Sequence, residues 1–149
     1  MALQNQVMDA LKVAMKAKDA VALESLRAIK SAILLQQSEA GAKEFSSTDE
    51  IKLLQKLVKQ RKDSAALYNE QGRRDLADPE LEQAKVIEQF LPEPLSELEL
   101  DQLIQNVINE LSAEGMKDMG RVVSEVNSRA AGKAEGKVIA QKVKYHLSN

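Results

Sequence analysis

Apolar residues recur in this chain every three or four positions, and no stretch alternates between apolar and polar residues. In the first helix that this spacing predicts, Leu3, Val7 and Leu11 fall on one face. A β-strand would instead place every second residue on the same face. Only six Gly and three Pro interrupt the 149 residues, so long helices are expected. The sequence therefore predicts an all-α fold.

The clearest break in the helical pattern is Pro92-Glu93-Pro94. Neither proline can donate a backbone hydrogen bond, and each disfavours a helical residue before it. Four helices are predicted before this break and three after it. We therefore expect a four-helix N-terminal domain over residues 1–91 and a small three-helix C-terminal domain over residues 95–149.

Capping residues predict where individual helices begin and end. Ser47 and Glu50 have the spacing of a capping box at the start of the third helix, and Ser96 and Glu99 repeat it at the start of the fifth. The fifth helix is expected to end at Gly115, since glycine adopts the left-handed conformation that closes many helices.

The composition excludes several classes of site and compartment. The chain has no cysteine, which excludes disulfides, thiolate zinc sites and thiol nucleophiles. Its first residues lack the basic start and apolar run of a secretory signal. No stretch approaches the roughly 20 apolar residues of a membrane span. We therefore expect a cytoplasmic protein with no membrane partner.

Arg61 lies on the apolar side of the predicted third helix, between Leu57 and Ala65. A guanidinium on that side is costly unless a carboxylate or helix-end carbonyls meet it. Arg61 is therefore either a buried structural clamp or the floor of an anion site. The lysines of the same helix, Lys52, Lys56 and Lys59, fall on the opposite, solvated side.

Arg73, Arg74 and Asp75 open the predicted fourth helix. Asp75 interacts favourably with the helix dipole there and is placed to bind either arginine. These three residues join Arg61 as candidates for a clamp or an anion site. The alternative is an exposed turn with a capping acid.

Charge is sorted along the C-terminal part of the chain. Residues 93–114 hold six acidic side chains and no basic one, whereas residues 117–149 hold seven basic and three acidic ones, a net charge of +4. The seven candidate nucleic-acid-binding residues are Lys117, Arg121, Arg129, Lys133, Lys137, Lys142 and Lys144. Such a cluster can bind phosphates through counter-ion release. The alternative is a solvated surface that faces the acidic fifth helix.

No catalytic, metal or cofactor site is predicted. The lone histidine, His146, has no Ser or carboxylate at a recognisable spacing and is expected at the surface. The only glycine-rich turn, Gly132-Lys133-Ala134-Glu135-Gly136, lacks the preceding strand and the Lys-Ser/Thr ending of a phosphate loop.

Several segments resemble the YqeY family, in order and in register over essentially the whole chain. They are Lys59-Gln60-Arg61-Lys62-Asp63-Ser64, Gly72-Arg73-Arg74-Asp75-Leu76-Ala77, Phe90-Leu91-Pro92, Lys117-Asp118-Met119-Gly120-Arg121-Val122-Val123 and Gly132-Lys133-Ala134-Glu135-Gly136-Lys137. That family is similar in turn to the C-terminal tail of GatB, one component of the glutamine-dependent tRNA amidotransferase. The resemblance implies a helical fold with a larger N-terminal part and a small C-terminal part, and a tail that contacts tRNA. It also implies that the amidating site lies in a separate domain and that the glutaminase site lies in a different polypeptide of that enzyme.

Two positions depart from the family pattern. The family usually has Glu where this chain has Gln83. If that Glu is the partner of Arg61, then Glu80 or Asp75 must replace it here. The usual Asp of the glycine-rich turn is Glu135, and Glu is a poorer helix N-cap than Asp.

The sequence and the resemblance together predict a non-catalytic helical module associated with amidotransferase-type carbon–nitrogen ligation. We expect it to bind tRNA through the seven cations, with little base specificity because no aromatic stacking platform accompanies them. Its expected partners are tRNA and amidotransferase or aminoacyl-tRNA synthetase components. Two alternatives stay open: a component of a carbon–nitrogen ligase with glutamine as amido-N-donor, and a protein-binding helical adaptor.

Overall fold

The computed structural model describes residues 2–40 and 45–148, and the regular secondary structure within them is helical, with no strand. The helices are α1 (Ala2–Ala17), α2 (Ala20–Ala40), α3 (Ser47–Glu70), α4 (Arg74–Glu88), α5 (Glu97–Leu111), α6 (Met119–Ala130) and α7 (Gly136–Ser148), with a short 3-10 turn at Met116–Asp118. The predicted all-α fold is confirmed. No helix of this described part is long and apolar enough to cross a membrane.

The capping box of α3 lies one residue earlier than predicted. The Ser46 hydroxyl accepts the Asp49 N–H at 3.2 Å, and the Asp49 carboxylate accepts the Ser46 N–H at 3.1 Å. The prediction of Ser47 and Glu50 is therefore wrong. Each serine is followed three residues later by an acid, so the spacing alone does not distinguish the two pairs.

Helix α5 begins as predicted and ends earlier than predicted. The Ser96 hydroxyl accepts the Glu99 N–H at 3.1 Å, and the Glu99 carboxylate accepts the Ser96 N–H at 3.0 Å. The helix ends at Leu111 because Ser112 adopts the left-handed conformation, with φ of 52°. The expected end at Gly115 is wrong, because Ser112 already adopts the left-handed conformation that was expected of a glycine.

Contacts divide the chain into two compact units, and the N-terminal unit is Met1–Leu91. Within it, α3 and α4 pack along each other, and α2 packs against α1, α3 and α4. Gly72 between α3 and α4 has φ of +74°, a conformation that glycine adopts without steric cost. The core is aliphatic, and its fully buried residues include Val7, Ile29, Ile33, Leu54 and Ile87.

The C-terminal unit is Pro92–Asn149, in which α5, α6 and α7 surround a core of their own. Its fully buried residues include Ile104, Val107, Val122, Val126, Ile139 and Val143. Ala131 and Gly132 are left-handed, with φ of 47° and 85°, and turn the chain from α6 towards α7. The Leu95 N–H donates to the Lys133 carbonyl at 2.8 Å. This bond fixes the α6–α7 turn against the segment that precedes α5.

Candidate nucleic-acid interface

Four of the seven candidate cations are paired with acidic side chains of the C-terminal unit. The pairs are Lys117 with Glu114 at 3.4 Å, Arg121 with Asp118 at 3.1 Å, Arg129 with Glu110 and with Glu125, and Lys142 with Asp101 at 2.9 Å. Two of the acids, Glu110 and Asp101, belong to α5. The acidic fifth helix therefore neutralises part of the basic cluster.

Arg129 is held by two carboxylates. Its Nε donates to Glu125 on α6 at 2.9 Å, and a terminal nitrogen donates to Glu110 on α5. The hydrogen bond to Glu110, followed by that to Glu125, raises the pKa of Arg129 above its usual range. In return, the Arg129 guanidinium lowers the pKa of Glu110. The guanidinium is thus oriented by α5 and α6, and its charge is balanced locally.

Asp101 joins α5 to α7 through two side chains. Its Oδ1 accepts from Lys142 Nζ at 2.9 Å and lies 3.2 Å from His146 Nε2. The hydrogen bond from Lys142 lowers the pKa of Asp101 most, and the one from His146 lowers it further. The His146 side chain is 20% exposed, so it lies at the edge of the unit, half-buried rather than fully exposed as expected. It follows the buried Ile139 by seven residues and lies on the same side of α7.

Lys133, Lys137 and Lys144 are exposed and form no ion pair within the described part of the chain. Lys137 and Lys144 are seven residues apart on α7, which places them two turns apart on one side of the helix. Lys133 lies in the turn that precedes α7. These three lysines are the members of the predicted set whose charge is available to an anionic ligand.

Tyr145 is an exposed aromatic residue that directly follows Lys144 on α7 and was not among the residues predicted from the sequence. Its exposed fraction is 69%. At about 100° per residue, Tyr145 lies roughly 80–100° around the helix from Lys137 and Lys144, and Gln141 lies between Lys137 and Tyr145. We call Lys137, Gln141, Lys144 and Tyr145 the α7 outer face; all four are exposed. An exposed aromatic ring thus directly follows Lys144, contrary to the expectation that none accompanies the cations. The helical period carried the signal, because Tyr145 falls outside the buried stripe of α7.

An open groove of about 350 Å³ runs beside α5 within the C-terminal unit. We call it the α5 groove, and its lining residues are Leu95, Glu99, Gln102, Leu103, Asn106, Arg129 and Lys133. Two of the candidate cations, Arg129 and Lys133, therefore lie on this groove.

Arg61 lies in the N-terminal unit, half-buried between α3 and α4. Its Nε donates to the Gln83 side-chain oxygen at 3.1 Å, and a terminal nitrogen donates to the Leu57 carbonyl at 3.1 Å. The expectation that Glu80 or Asp75 would replace the family's Glu is wrong, because the Gln83 oxygen accepts from Arg61 itself. These contacts make Arg61 a link between the two helices.

The start of α4 carries two exposed ion pairs. Arg73 donates to both carboxylate oxygens of Asp75, at 3.1 and 3.0 Å. That bidentate contact raises the pKa of Arg73 and lowers the pKa of Asp75. Arg74 Nε lies 3.5 Å from an oxygen of Asp78. In the described ranges, no hydrogen bond or ion pair joins Arg73, Arg74 or Asp75 to Arg61.

Comparison with known proteins gives one family model and several curated relatives. The model described as "Yqey-like protein" matches residues 4–147. A protein of Clavispora lusitaniae named "Altered inheritance of mitochondria protein 41, mitochondrial" is 32% identical over 125 residues, which cover 81% of this chain and 72% of that protein. The protein of the same name from Vanderwaltozyma polyspora is 33% identical over 120 residues, covering 78% of this chain and 65% of that protein. The protein of the same name from Pyrenophora tritici-repentis is 28% identical over 137 residues, covering 89% of this chain and 74% of that protein.

These names contradict the expected cytoplasmic location, since each of the relatives is called mitochondrial. The expectation rested on a missing secretory pattern and missing membrane spans, and neither feature distinguishes the cytoplasm from the mitochondrion. The quoted family segments are spread over the same range that the family model matches. With a match that extends over residues 4–147, the chain belongs to the YqeY family.

Proposed function

We propose that this chain is a non-catalytic helical module associated with glutamine-dependent tRNA amidation, and that it binds tRNA through the α7 outer face and the neighbouring Lys133. The observation that carries this proposal is the pair Lys137 and Lys144, exposed and without ion pairs in the described residues, beside the exposed ring of Tyr145. Lysine ammonium groups bind phosphates, and an aromatic ring stacks on an unpaired base. We propose tRNA as the anionic ligand because the family is similar to the amidotransferase tail, which the resemblance implies contacts tRNA.

The charge distribution favours a local contact over attraction by the whole unit. Residues 92–149 carry seven basic and nine acidic side chains, so the unit has a net charge of −2. At physiological ionic strength, exposed charges are screened over about 8 Å. The four cations paired with acids therefore add little, and we assign the phosphate contacts to Lys133, Lys137 and Lys144.

The test compares the tRNA affinity of three forms of the full chain. Lys137→Ala/Lys144→Ala removes two proposed phosphate contacts, and we expect an affinity loss on the order of tenfold at about 0.1 M salt. Lys52→Ala/Lys56→Ala is the matched control, because it removes two exposed lysines from α3. The control is expected to bind like the wild type. Equal losses in both variants, or no binding by the wild type at low ionic strength, would contradict the proposal.

We also propose that residues 1–91 and 95–149 are separate domains with four and three helices. Each of the two contact-defined units has a buried core of its own, which supports the proposal. Limited proteolysis of the full chain is expected to cut first around Pro92-Glu93-Pro94 and to leave two resistant fragments. First cuts inside a helix of either unit would argue against separate domains.

The proposed partners are tRNA and amidotransferase or aminoacyl-tRNA synthetase components. A pull-down with and without ribonuclease separates partners that are held through RNA from partners that contact the protein directly. We expect recovery of these components to fall on ribonuclease treatment. Turnover by the purified chain with misacylated tRNA, ATP, magnesium and glutamine would instead show that it is an enzyme.

A further inference from the structure

The two sides of the α5 groove are held in place by contacts within the C-terminal unit. One side is a face of α5 with Glu99, Gln102, Leu103 and Asn106 at the spacing of successive turns. The other side carries Lys133, whose carbonyl accepts the Leu95 N–H at 2.8 Å. The turn that carries Lys133 is therefore tied to the segment before α5.

Two carboxamides in the groove have no hydrogen-bond partner among the described residues. They are Gln102 and Asn106, which are exposed and lie one helical turn apart. The other Gln and Asn at this spacing on α5 behave differently: Gln105 Nε2 donates to Asn109 Oδ1 at 3.2 Å. A carboxamide offers both a donor and an acceptor, so Gln102 and Asn106 can bind the edge of a nucleobase.

The rest of the groove provides an apolar surface and both signs of charge. Leu95 and Leu103 are half-buried and give a base a surface to lie on. Lys133 has no ion pair in the described residues, and Arg129 is oriented by its two carboxylates. The hydrogen bonds from Ser96 lower the pKa of Glu99, and the charge of Lys133 adds to the effect. Glu99 therefore stays ionised and can accept a hydrogen bond from an exocyclic amino group.

We infer that the α5 groove binds one unpaired nucleotide of RNA and prefers a base whose amino group lies beside a ring-nitrogen acceptor, as in adenine, over uracil. A carboxamide of Gln102 or Asn106 can donate to that ring nitrogen and accept from the amino group, and uracil has no amino group to offer Glu99. Lys133 binds the phosphate of the same nucleotide, and Leu95 and Leu103 contact the base. This inference rests on the proposed binding of RNA and adds base selection to it.

The experiment measures the affinity of the full chain for labelled oligo(A) and oligo(U) pentanucleotides by fluorescence anisotropy. We expect the wild type to bind oligo(A) about tenfold more tightly than oligo(U). Gln102→Ala/Asn106→Ala is expected to reduce that ratio to about twofold or less, because the paired contacts to the base are lost. Gln105→Ala/Asn109→Ala removes the same residue types at the same spacing outside the groove, and it is expected to keep the ratio.

Circular dichroism melts of the variants test whether the exposed substitutions leave the helices folded, and unchanged melts are expected. In addition, adenosine monophosphate is expected to shift the side-chain amide NMR signals of Gln102 and Asn106, and ribose 5-phosphate is not. Equal affinity for the two oligonucleotides, or a preference that survives Gln102→Ala/Asn106→Ala, overturns the inference. Salt-dependent binding without base preference leaves the proposed function standing, whereas no binding of tRNA or either oligonucleotide removes both.

Discussion

The contact between Arg61 and Gln83 predicts that Gln83→Glu stabilises the N-terminal unit. In the structure, Arg61 Nε donates to a neutral carboxamide oxygen at 3.1 Å. Gln83→Glu replaces this acceptor with a carboxylate of the same length, at a half-buried position. A hydrogen bond to a charged group contributes about 1.5–3 kcal/mol, against about 0.5–1.5 for a neutral pair. After a discount for solvent screening, we expect a gain of about 1 kcal/mol.

The gain is measured by urea unfolding followed by far-UV circular dichroism, and it depends on pH in a defined direction. Binding to Arg61 lowers the pKa of the introduced carboxyl group in the folded state. The gain is therefore fully present above the unfolded pKa of about 4.3 and is lost as the pH falls through the folded value. For a unit of this size, about 1 kcal/mol corresponds to a rise in Tm of roughly 4–8 °C.

A double-mutant cycle isolates the interaction from other effects of the added charge. In the Arg61→Met background, Gln83→Glu is expected to give no gain, since the guanidinium is absent. An equal gain in both backgrounds, or destabilisation by Gln83→Glu at neutral pH, would refute the reasoning.

Three further predictions follow from buried and capping contacts. Ile104→Ala, at a fully buried position of the C-terminal unit, is expected to lower the free energy of unfolding of that unit by about 2–5 kcal/mol. Only one of two urea transitions should then move to a lower midpoint, and equal shifts of both midpoints would contradict separate domains. Ser46→Ala is expected to lower the free energy of unfolding by about 0.5–2 kcal/mol, and Ser47→Ala by only a few tenths of a kcal/mol. A larger loss for Ser47→Ala in urea denaturation would show that Ser47 is the cap. Asp101→Asn is expected to lower Tm near neutral pH, because Lys142 and His146 lower the pKa of Asp101 in the folded state. That contribution is present above an unfolded pKa of about 3.9 and is lost as the pH falls, so the wild type and variant should converge in acid; a constant difference would contradict it.

Features set by neighbouring residues could be predicted from the sequence. Helical period indicated the all-α class, and the spacing of Ser96 and Glu99 located the start of α5. The start of α3 was missed by one residue because Ser46 and Ser47 both precede an acid at the same spacing. Local patterns thus locate a helix, and side-chain hydrogen bonds select its first residue.

Contacts between distant residues could not be predicted. Arg129 binds Glu110 across 19 residues of sequence, and Lys142 binds Asp101 across 41. These pairs depend on how α6 and α7 pack on α5, which periodicity does not specify. The sequence therefore grouped seven cations into one cluster, whereas packing leaves three of them without an ion pair in the described residues.

The salt dependence of tRNA affinity tests the central proposal most directly. Each phosphate contact contributes about −0.7 to −0.9 to the slope of log K against log salt concentration. Contacts by Lys133, Lys137 and Lys144 alone predict a slope of about −2 to −3, whereas seven contacts would give about −5 to −6. A wild-type slope near −2 to −3 agrees with binding through the lysines that lack ion pairs. A slope near zero, a slope near −5 to −6, or no binding at low salt would contradict it.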